Sequence, residues 1–139
     1  MSGEVFANRG SKAEIESGRA FAPKFDGDGL VPAIVTEAGS GTVLMFAFMN
    51  AEALARTIDE GVAHFWSRSR GRLWRKGEES GNVLNVVEIR TDCDQDVIWI
   101  QVRIEGGGVA CHTGRHSCFY RRVRPAAEGG VELVFVDAP

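Results

Sequence analysis

The sequence contains no long apolar run and no excess of basic residues. No segment approaches the roughly 20 apolar residues that a membrane-spanning helix requires, and the polar residues 1–4 lack the apolar segment of a signal peptide. We therefore expect a cytoplasmic protein. The formal net charge of -3 argues against a protein that binds long nucleic acids through a broadly basic surface. The sequence also shows no internal repeat, heptad pattern or low-complexity tract.

Cysteine is scarce, because the chain has only 3 cysteines. An odd number of thiols in a reducing compartment favours metal binding or free thiols over structural disulfides. Cys93 lies among aspartates, and Cys111 and Cys118 bracket a segment with two histidines. Three thiols match the ligand count of many catalytic zinc sites, with three unrelated buried thiols as the alternative. The spacing of Cys111 and Cys118 is not that of a zinc knuckle, so this pair indicates zinc only together with Cys93.

The length of 139 residues fits one compact domain whose core needs no disulfides. Hydrophobic residues make up 44% of the chain and charged residues 25%, which is ordinary for a globular protein. Residues 1–25 are polar and contain glycine, which predicts a flexible, loosely attached N-terminal arm with at most a short helix near residues 11–17. Residues 26–139 are then expected to form the single folded domain.

The hydrophobic pattern predicts an α+β fold, mostly antiparallel β-sheet with one main helix. The helix is expected to run from an Asn50 cap to Glu60, with Leu54 and Ile58 on one face and Gly61 as its stop. The expected strands are residues 30–36, 42–49, 62–69, 83–91, 97–104, 118–123 and 131–136.

The aspartates around Cys93 are predicted to lie at the tip of a hairpin. In residues 97–104 apolar side chains alternate with larger or polar ones, as in a half-buried strand. Continued backwards, that alternation would place Asp92, Asp94 and Asp96 on the apolar face, where unpaired carboxylates are not tolerated. A turn is therefore expected, and carboxylates gathered by a turn can converge on a magnesium ion. A solvated acidic turn without a cation is the alternative.

The three histidines have different surroundings. His112 follows Cys111 directly and is the preferred candidate for a general base or a further metal ligand. We interpret His116 as a structural histidine, with metal binding as the alternative. We interpret His64 as a structural residue of a strand, with ligand contact as the alternative.

Residues 65–82 concentrate basic groups, hydroxyls, glycines and two tryptophans in an otherwise acidic protein. Guanidinium and ammonium groups bind phosphate oxygens, glycines let backbone N–H groups approach a ligand, and aromatic rings stack on bases. The segment therefore predicts a site for a phosphorylated nucleotide, with an exposed basic hairpin as the alternative. The expected substrate contacts are Trp66, Ser67, Arg68, Ser69, Arg70, Trp74, Lys76, Gly77, Ser80, Gly81 and, in the cysteine segment, Arg115.

Taken together, four motifs make the chain resemble the phosphoribosyl-AMP cyclohydrolase family over roughly residues 29–123. In chain order they are Trp66-Ser67-Arg68-Ser69-Arg70, Trp74-x-Lys76-Gly77-Glu78-x-Ser80-Gly81, Asp92-Cys93-Asp94-x-Asp96 and Ala110-Cys111-His112-Thr113-Gly114-x-x-Ser117-Cys118-Phe119. The ordered set is far more specific than any one motif.

The resemblance implies a hydrolase of histidine biosynthesis that opens the adenine ring of 1-(5-phosphoribosyl)-AMP between N1 and C6. It implies an intertwined homodimer in which the two subunits share the thiolate ligands of zinc, namely Cys93, Cys111 and Cys118. It also implies a magnesium ion held by the carboxylates of Asp92, Asp94 and Asp96. Zinc lowers the pKa of a bound water toward neutrality, and His112 would assist proton transfer.

The chain departs from the family pattern at two places. Family members usually have histidine where Asn82 stands, and glycine-proline where this chain has Gly108 and Val109. A zinc-stabilised module that binds nucleotides or RNA without catalysis is the alternative function. A zinc nucleotide deaminase is disfavoured because its H-x-E and P-C-x-x-C signature is absent.

Overall fold

The computed structural model describes residues 6–106 and 108–136 and shows an α+β fold. In chain order its elements are α1 (Lys12–Ser17), β1 (Val31–Glu37), β2 (Val43–Met49), α2 (Ala51–Glu60), β3 (His64–Ser67), β4 (Arg72–Arg75), β5 (Leu84–Thr91), β6 (Ile98–Ile104), β7 (Arg121–Pro125) and β8 (Val131–Phe135). No helix in this part of the chain combines the length and the apolar character that crossing a bilayer requires.

Six strands form one sheet in the order β4-β3-β2-β1-β6-β5, and β7 and β8 form a separate hairpin. Within the described residues β1 and β6 pair in parallel, and the other pairs are antiparallel, as expected for a mostly antiparallel fold. The parallel pair brings together strands that are far apart in sequence. Consequently β4 and β5, which follow each other along the chain, lie at opposite edges of the sheet.

The core lies on one face of the central strands. Ile98, Ile100 and Val102 are fully buried, and they lie beside Ala33, Val35 and Glu37 of β1 in the parallel register. Trp99 and Arg103 of the same strand are exposed. The predicted alternation of β6 is therefore confirmed.

Helix α2 covers part of this core and has the predicted ends. The Asn50 side chain accepts a hydrogen bond from the Ala53 N–H at 2.8 Å, and Gly61 adopts the left-handed conformation that ends many helices. Leu54 is fully buried, but Ile58 is 48% exposed. The two residues are one helical turn apart, as predicted, but Ile58 lies at the exposed margin of that side, and Ala53, Ala55 and Thr57 complete the buried face with Leu54.

Two predicted strands need correction, and one strand was not predicted. The strand expected at residues 62–69 is shortened to His64–Ser67, and Arg72–Arg75 forms an additional strand that pairs with it. The strand expected at residues 118–123 begins only at Arg121. The Cys118 N–H instead donates to the Leu44 carbonyl at 2.8 Å, so the segment before β7 is attached to β2.

The N-terminal arm is more closely attached than its composition indicated. The short helix is confirmed as Lys12–Ser17, with a reciprocal capping box between Ser11 and Glu14. The Phe6 ring packs on the rings of Phe21 and Phe25 at centroid distances of 5.5 and 6.1 Å. Ala22 is only 3% exposed. The boundary between arm and domain stays a prediction, although residues 6–25 clearly contact the rest of the fold.

Candidate active site

The loop that carries Cys111 and Cys118 is fastened to β2. The Ser117 hydroxyl donates to the Val43 carbonyl at 2.6 Å, next to the bond between Cys118 and Leu44. Within the loop the Cys111 N–H donates to the Arg115 carbonyl at 3.1 Å. These bonds fix the direction in which the two cysteine side chains leave the sheet.

The two thiols of this loop interact with each other. Burial opposes ionisation of Cys111, but hydrogen bonds from the side chain and the backbone of Thr113 outweigh it and lower the pKa of this thiol. The Thr113 hydroxyl lies 3.0 Å from the Cys111 sulfur. Burial and the negative charge of Cys111 raise the pKa of Cys118 to about 11. Negative charge on Cys111 opposes ionisation of Cys118, and a cation between the two sulfurs would relieve that repulsion.

His116 supports the same loop from the outside. Its Nδ1 lies 2.8 Å from the Gly108 carbonyl oxygen, and its Nε2 lies 3.1 Å from a carboxylate oxygen of Glu37. The Ser40 hydroxyl and His116 lower the pKa of Glu37 against the opposing effect of burial. These contacts agree with the interpretation of His116 as structural.

A pocket of about 550 Å³ opens beside the thiol loop, within the size range of small-molecule sites. Its lining includes most of the residues predicted to contact substrate, together with His112. The predicted members are Trp66, Ser67, Arg68, Ser69, Arg70, Trp74, Lys76, Gly77 and Ser80. Gly81 and Arg115 do not line the pocket. The guanidinium of Arg115 instead lies 4.1 Å from the centroid of the Tyr120 ring.

The charge of the pocket is predominantly positive. Arg68 lies over the Phe48 ring at 4.0 Å, and Arg72 pairs with Glu78 at 3.2 Å. Among the described residues, Arg70 and Arg75 have no carboxylate partner. Such a surface suits a ligand with more than one phosphate group.

The pocket and the thiol pair are electrostatically connected. The positive charge of Lys76, which lines the pocket, acts on both Cys111 and Cys118 and favours their ionised forms. His112 follows Cys111 in the chain and also lines the pocket. A ligand in the pocket would therefore lie beside both the thiols and an imidazole.

Gly77 allows the pocket loop to close tightly. It has φ of 88°, and a Cβ atom at this position would lie 2.5 Å from the backbone of Asn82 and Val83. No side chain fits there without moving backbone. The loop of residues 77–82 therefore depends on glycine at its start.

The acidic loop lies at the tip between β5 and β6, as predicted. One carboxylate oxygen each from Asp92, Asp94 and Asp96 falls within 4.8 Å of the others. Despite opposing burial, hydrogen bonds from Asp96, Asp94 and Val97 lower the pKa of Asp92. Proton sharing with Asp92 and Asp94, together with their negative charges, raises the pKa of Asp96 to about 6. Three hard oxygens that resist simultaneous ionisation fit a divalent cation.

Cys93 does not join the other two thiols within one chain. In the described residues the three aspartates form the one set of three metal-binding side chains that lie close together, and this set contains no cysteine. The acidic loop also contributes no residue to the basic pocket. Within one chain the thiol pair attached to β2 and the acidic loop between β5 and β6 are therefore separate clusters.

Sequence reasoning missed several pocket residues. They are Phe46, Ala47, Phe48, Arg72, Arg75, Glu78 and Glu79. Phe46 and Phe48 belong to β2, where their two-residue spacing places them on one face and their rings pack at 5.2 Å. The same alternation could have identified them. His64 is buried, and in the described structure it does not line the pocket.

Comparison with known proteins gives a consistent result. A family model described as phosphoribosyl-AMP cyclohydrolase matches residues 45–120. A protein of that name from Brucella anthropi is 58% identical over 95% of this chain and 93% of the relative. A relative of the same name from Rhodopseudomonas palustris is 62% identical over 90% of this chain and 84% of the relative. Another, from Bradyrhizobium sp., is 63% identical over 86% of this chain and 90% of the relative.

Proposed function

This chain belongs to the phosphoribosyl-AMP cyclohydrolase family, and from this premise we propose how its residues carry out the reaction. The protein is a hydrolase of histidine biosynthesis that opens the adenine ring of 1-(5-phosphoribosyl)-AMP at the N1–C6 bond. The product is the formimino-aminoimidazole carboxamide ribonucleotide. The alternative of a non-catalytic binding module is not favoured.

The observation that carries the mechanism is the basic pocket with His112 beside two interacting thiols. The substrate has a phosphate at each end, and the cations of the pocket supply partners for both. We assign Arg68, Arg70 and Lys76 to phosphate oxygens and Trp66 or Trp74 to packing against the base. Stacking of this kind contributes about 1–3 kcal/mol per base.

The thiols fit zinc only in part within one chain. Cys111 and Cys118 interact, whereas Cys93 lies in the acidic loop outside that pair. We propose that Cys93 of a second copy completes the ligand set, which makes the protein a homodimer with active sites between its subunits. Zinc would supply a Lewis acid that lowers the pKa of water to near neutrality.

We assign the proton transfer to His112, because it lines the pocket. In the reaction a water oxygen forms a bond to C6 and the C6–N1 bond breaks; of the two water protons, one goes to N1 and the other to the imino nitrogen on C6, which becomes the amide NH2 of the product. His112 accepts the proton from water and returns it to N1. General acid–base catalysis of this kind contributes about 10²–10⁴-fold to the rate.

The acidic loop would hold magnesium through Asp92, Asp94 and Asp96. Magnesium keeps several waters and is usually bound through few carboxylates plus substrate phosphates. Brought to the pocket by the second subunit, this loop would help to orient a phosphate group. Thiols that bind a metal must stay reduced, which requires a reducing compartment. We therefore propose that the protein works in the cytoplasm.

Exposed apolar side chains support a subunit interface. Val123 and Val131 of the separate hairpin are 68% and 74% exposed, and Phe46 at the pocket edge is 49% exposed. Large apolar side chains with this much exposure are candidates for burial in an interface. These residues are the ones that we expect to lose solvent contact in the dimer.

The test is an ultraviolet assay of phosphoribosyl-AMP consumption by the purified protein, with zinc content measured in parallel. We expect turnover that is lost when zinc is removed by a chelator and regained when zinc is restored. Cys93→Ser, Cys111→Ser and Cys118→Ser should each lose zinc and activity. Full activity in a zinc-free variant would overturn the zinc assignment.

A further inference from the structure

Gln95 has a backbone conformation that is unusual for its side chain. Within residues 6–106 and 108–136 it is the one non-glycine residue with positive φ, at 59°. Side chains other than glycine, asparagine and aspartate rarely adopt this conformation, and the surrounding structure must compensate for its cost. Gln95 is also only 6% exposed, although it lies between Asp94 and Asp96 in the acidic loop.

The compensation comes from the N-terminal arm. The Gln95 side-chain oxygen accepts a hydrogen bond from the Ala22 N–H at 2.8 Å, and its amide nitrogen donates to the Ile15 carbonyl at 2.9 Å. The backbone carbonyl of Gln95 accepts from the Lys24 N–H at 2.7 Å. Three bonds from three points of the arm thus converge on one residue of the acidic loop.

Arg9 adds a second connection between the same two segments. One guanidinium nitrogen donates to the Ala22 carbonyl at 2.7 Å, and the other donates to the Asp94 carbonyl at 3.0 Å. Arg9 therefore bridges the arm and the loop directly. Its partner on the loop side, Asp94, belongs to the stretch that presents the carboxylates.

These contacts hold the backbone from which the carboxylates project. The Gln95 N–H donates to the Asp92 carbonyl at 3.1 Å, and the Asp92 carboxylate accepts from the Asp96 N–H at 2.9 Å. Asp94 and Asp96 are the chain neighbours of Gln95, so fixing its backbone fixes both. Without such support the mutual repulsion of three close carboxylates would favour an open loop.

We propose that residues 6–25 form a strap that sets the acidic loop in the geometry for a divalent cation, with Arg9 and Gln95 as positioning residues. This inference rests on the proposed role of Asp92, Asp94 and Asp96 as cation ligands. Groups that orient metal ligands affect metal affinity by about 10–100-fold. Loss of either positioning residue should therefore weaken cation binding about tenfold.

The first test compares Arg9→Ala with Arg19→Ala in the full-length zinc-loaded protein. Both remove one positive charge from the arm, but in the described structure Arg19 makes no side-chain hydrogen bond or ion pair. Magnesium affinity is measured by titration calorimetry, and hydrogen exchange is followed in residues 92–97. Arg9→Ala should weaken magnesium binding about tenfold and accelerate exchange, with zinc content unchanged. Equal magnesium affinity in the two variants would overturn the role of Arg9.

The second test uses Gln95→Asn, whose shorter side chain tolerates the positive φ but does not reach both Ala22 and Ile15. We expect weaker magnesium binding than in the wild type, and turnover that recovers at high magnesium. A purely structural loss would lower turnover at every magnesium concentration. Magnesium affinity equal to the wild type would show that the side chain positions nothing.

Asp94→Asn separates failure of the strap from failure of the cation site. If Asp94→Asn weakens magnesium binding and the strap variants do not, the strap proposal alone is wrong. If Asp94→Asn binds magnesium normally, the cation assignment is wrong and the strap loses its proposed role with it.

Discussion

The β2–β3–β4 edge of the sheet carries a basic pocket, whereas the β5–β6 edge carries an acidic loop with Cys93. The pocket is built largely from residues of β2, β3 and β4 and of the adjoining loops, and most of these residues lie close together in the sequence. The acidic loop instead depends on hydrogen bonds to an arm about 80 residues away in the chain. The two regions are also opposite in charge.

This difference is the basis of the proposed homodimer. Neither edge has three thiols, and neither has both the basic pocket and the carboxylates. Two copies placed with the basic edge of one against the acidic edge of the other would supply every group. Charge complementarity would favour that pairing over contact between like edges.

The largest effect is expected from His112→Gln, which removes the proton carrier from the basic edge. We expect kcat to fall about 10²–10⁴-fold with zinc content unchanged, because the thiol ligands are intact. Steady-state kinetics and zinc analysis check this result. The matched control is His116→Gln, whose ring contacts Glu37 and Gly108 outside the pocket. If both variants retain kcat, His112 is not the proton carrier.

A smaller effect is expected from Arg68→Ala, which removes a proposed phosphate partner. Hydrogen bonds to charged groups contribute about 1.5–3 kcal/mol, so KM should rise about tenfold or more. Arg56→Ala is the control on α2, where Arg56 is exposed, pairs with Glu52 at 2.9 Å and does not line the pocket. An equal change in KM for both variants would show that general charge, and not the pocket, determines binding.

The smallest effect is expected from Glu37→Gln, which loosens the support of the thiol loop. The pKa of Glu37 is lowered in the folded protein, so the carboxylate contributes stability that is present above its ordinary pKa. That contribution is lost as the pH falls through the lowered value. We expect Glu37→Gln to lower the free energy of unfolding by less than about 1 kcal/mol at neutral pH and not at all in strong acid. Thermal unfolding of the wild type and the variant at several pH values measures the difference in their stability. A loss of stability that is the same at every pH would contradict this prediction.

Much of the fold could be predicted from local pattern. The alternation in β6, the turn that holds the aspartates and the caps of α2 each follow from side chains close together in the sequence. The strand order could not be predicted in this way. The parallel contact of Val35 with Ile100 depends on which apolar faces meet in space, and both strands would show the same alternation with other partners.

The attachment of the arm left no sequence signal for a different reason. The arm binds Gln95 of the acidic loop through backbone groups of Ile15, Ala22 and Lys24. Nearly every residue type offers such groups, so the sequence does not mark them. The pocket was easier to predict because its chemistry lies in side chains of unusual density. The two pocket phenylalanines of β2 were missed since they lie outside that dense segment.

The most direct test of a site divided between two chains is subunit mixing. Cys93→Ser and Cys111→Ser are each expected to be inactive, and the two are unfolded together and refolded with zinc. If the ligands are shared, a mixed dimer has one intact site, and random pairing should restore about one quarter of wild-type activity. Cys111→Ser mixed with Cys118→Ser should restore none, because both defects lie in the same half of the site. Equal absence of activity in the two mixtures would contradict a zinc site shared between subunits.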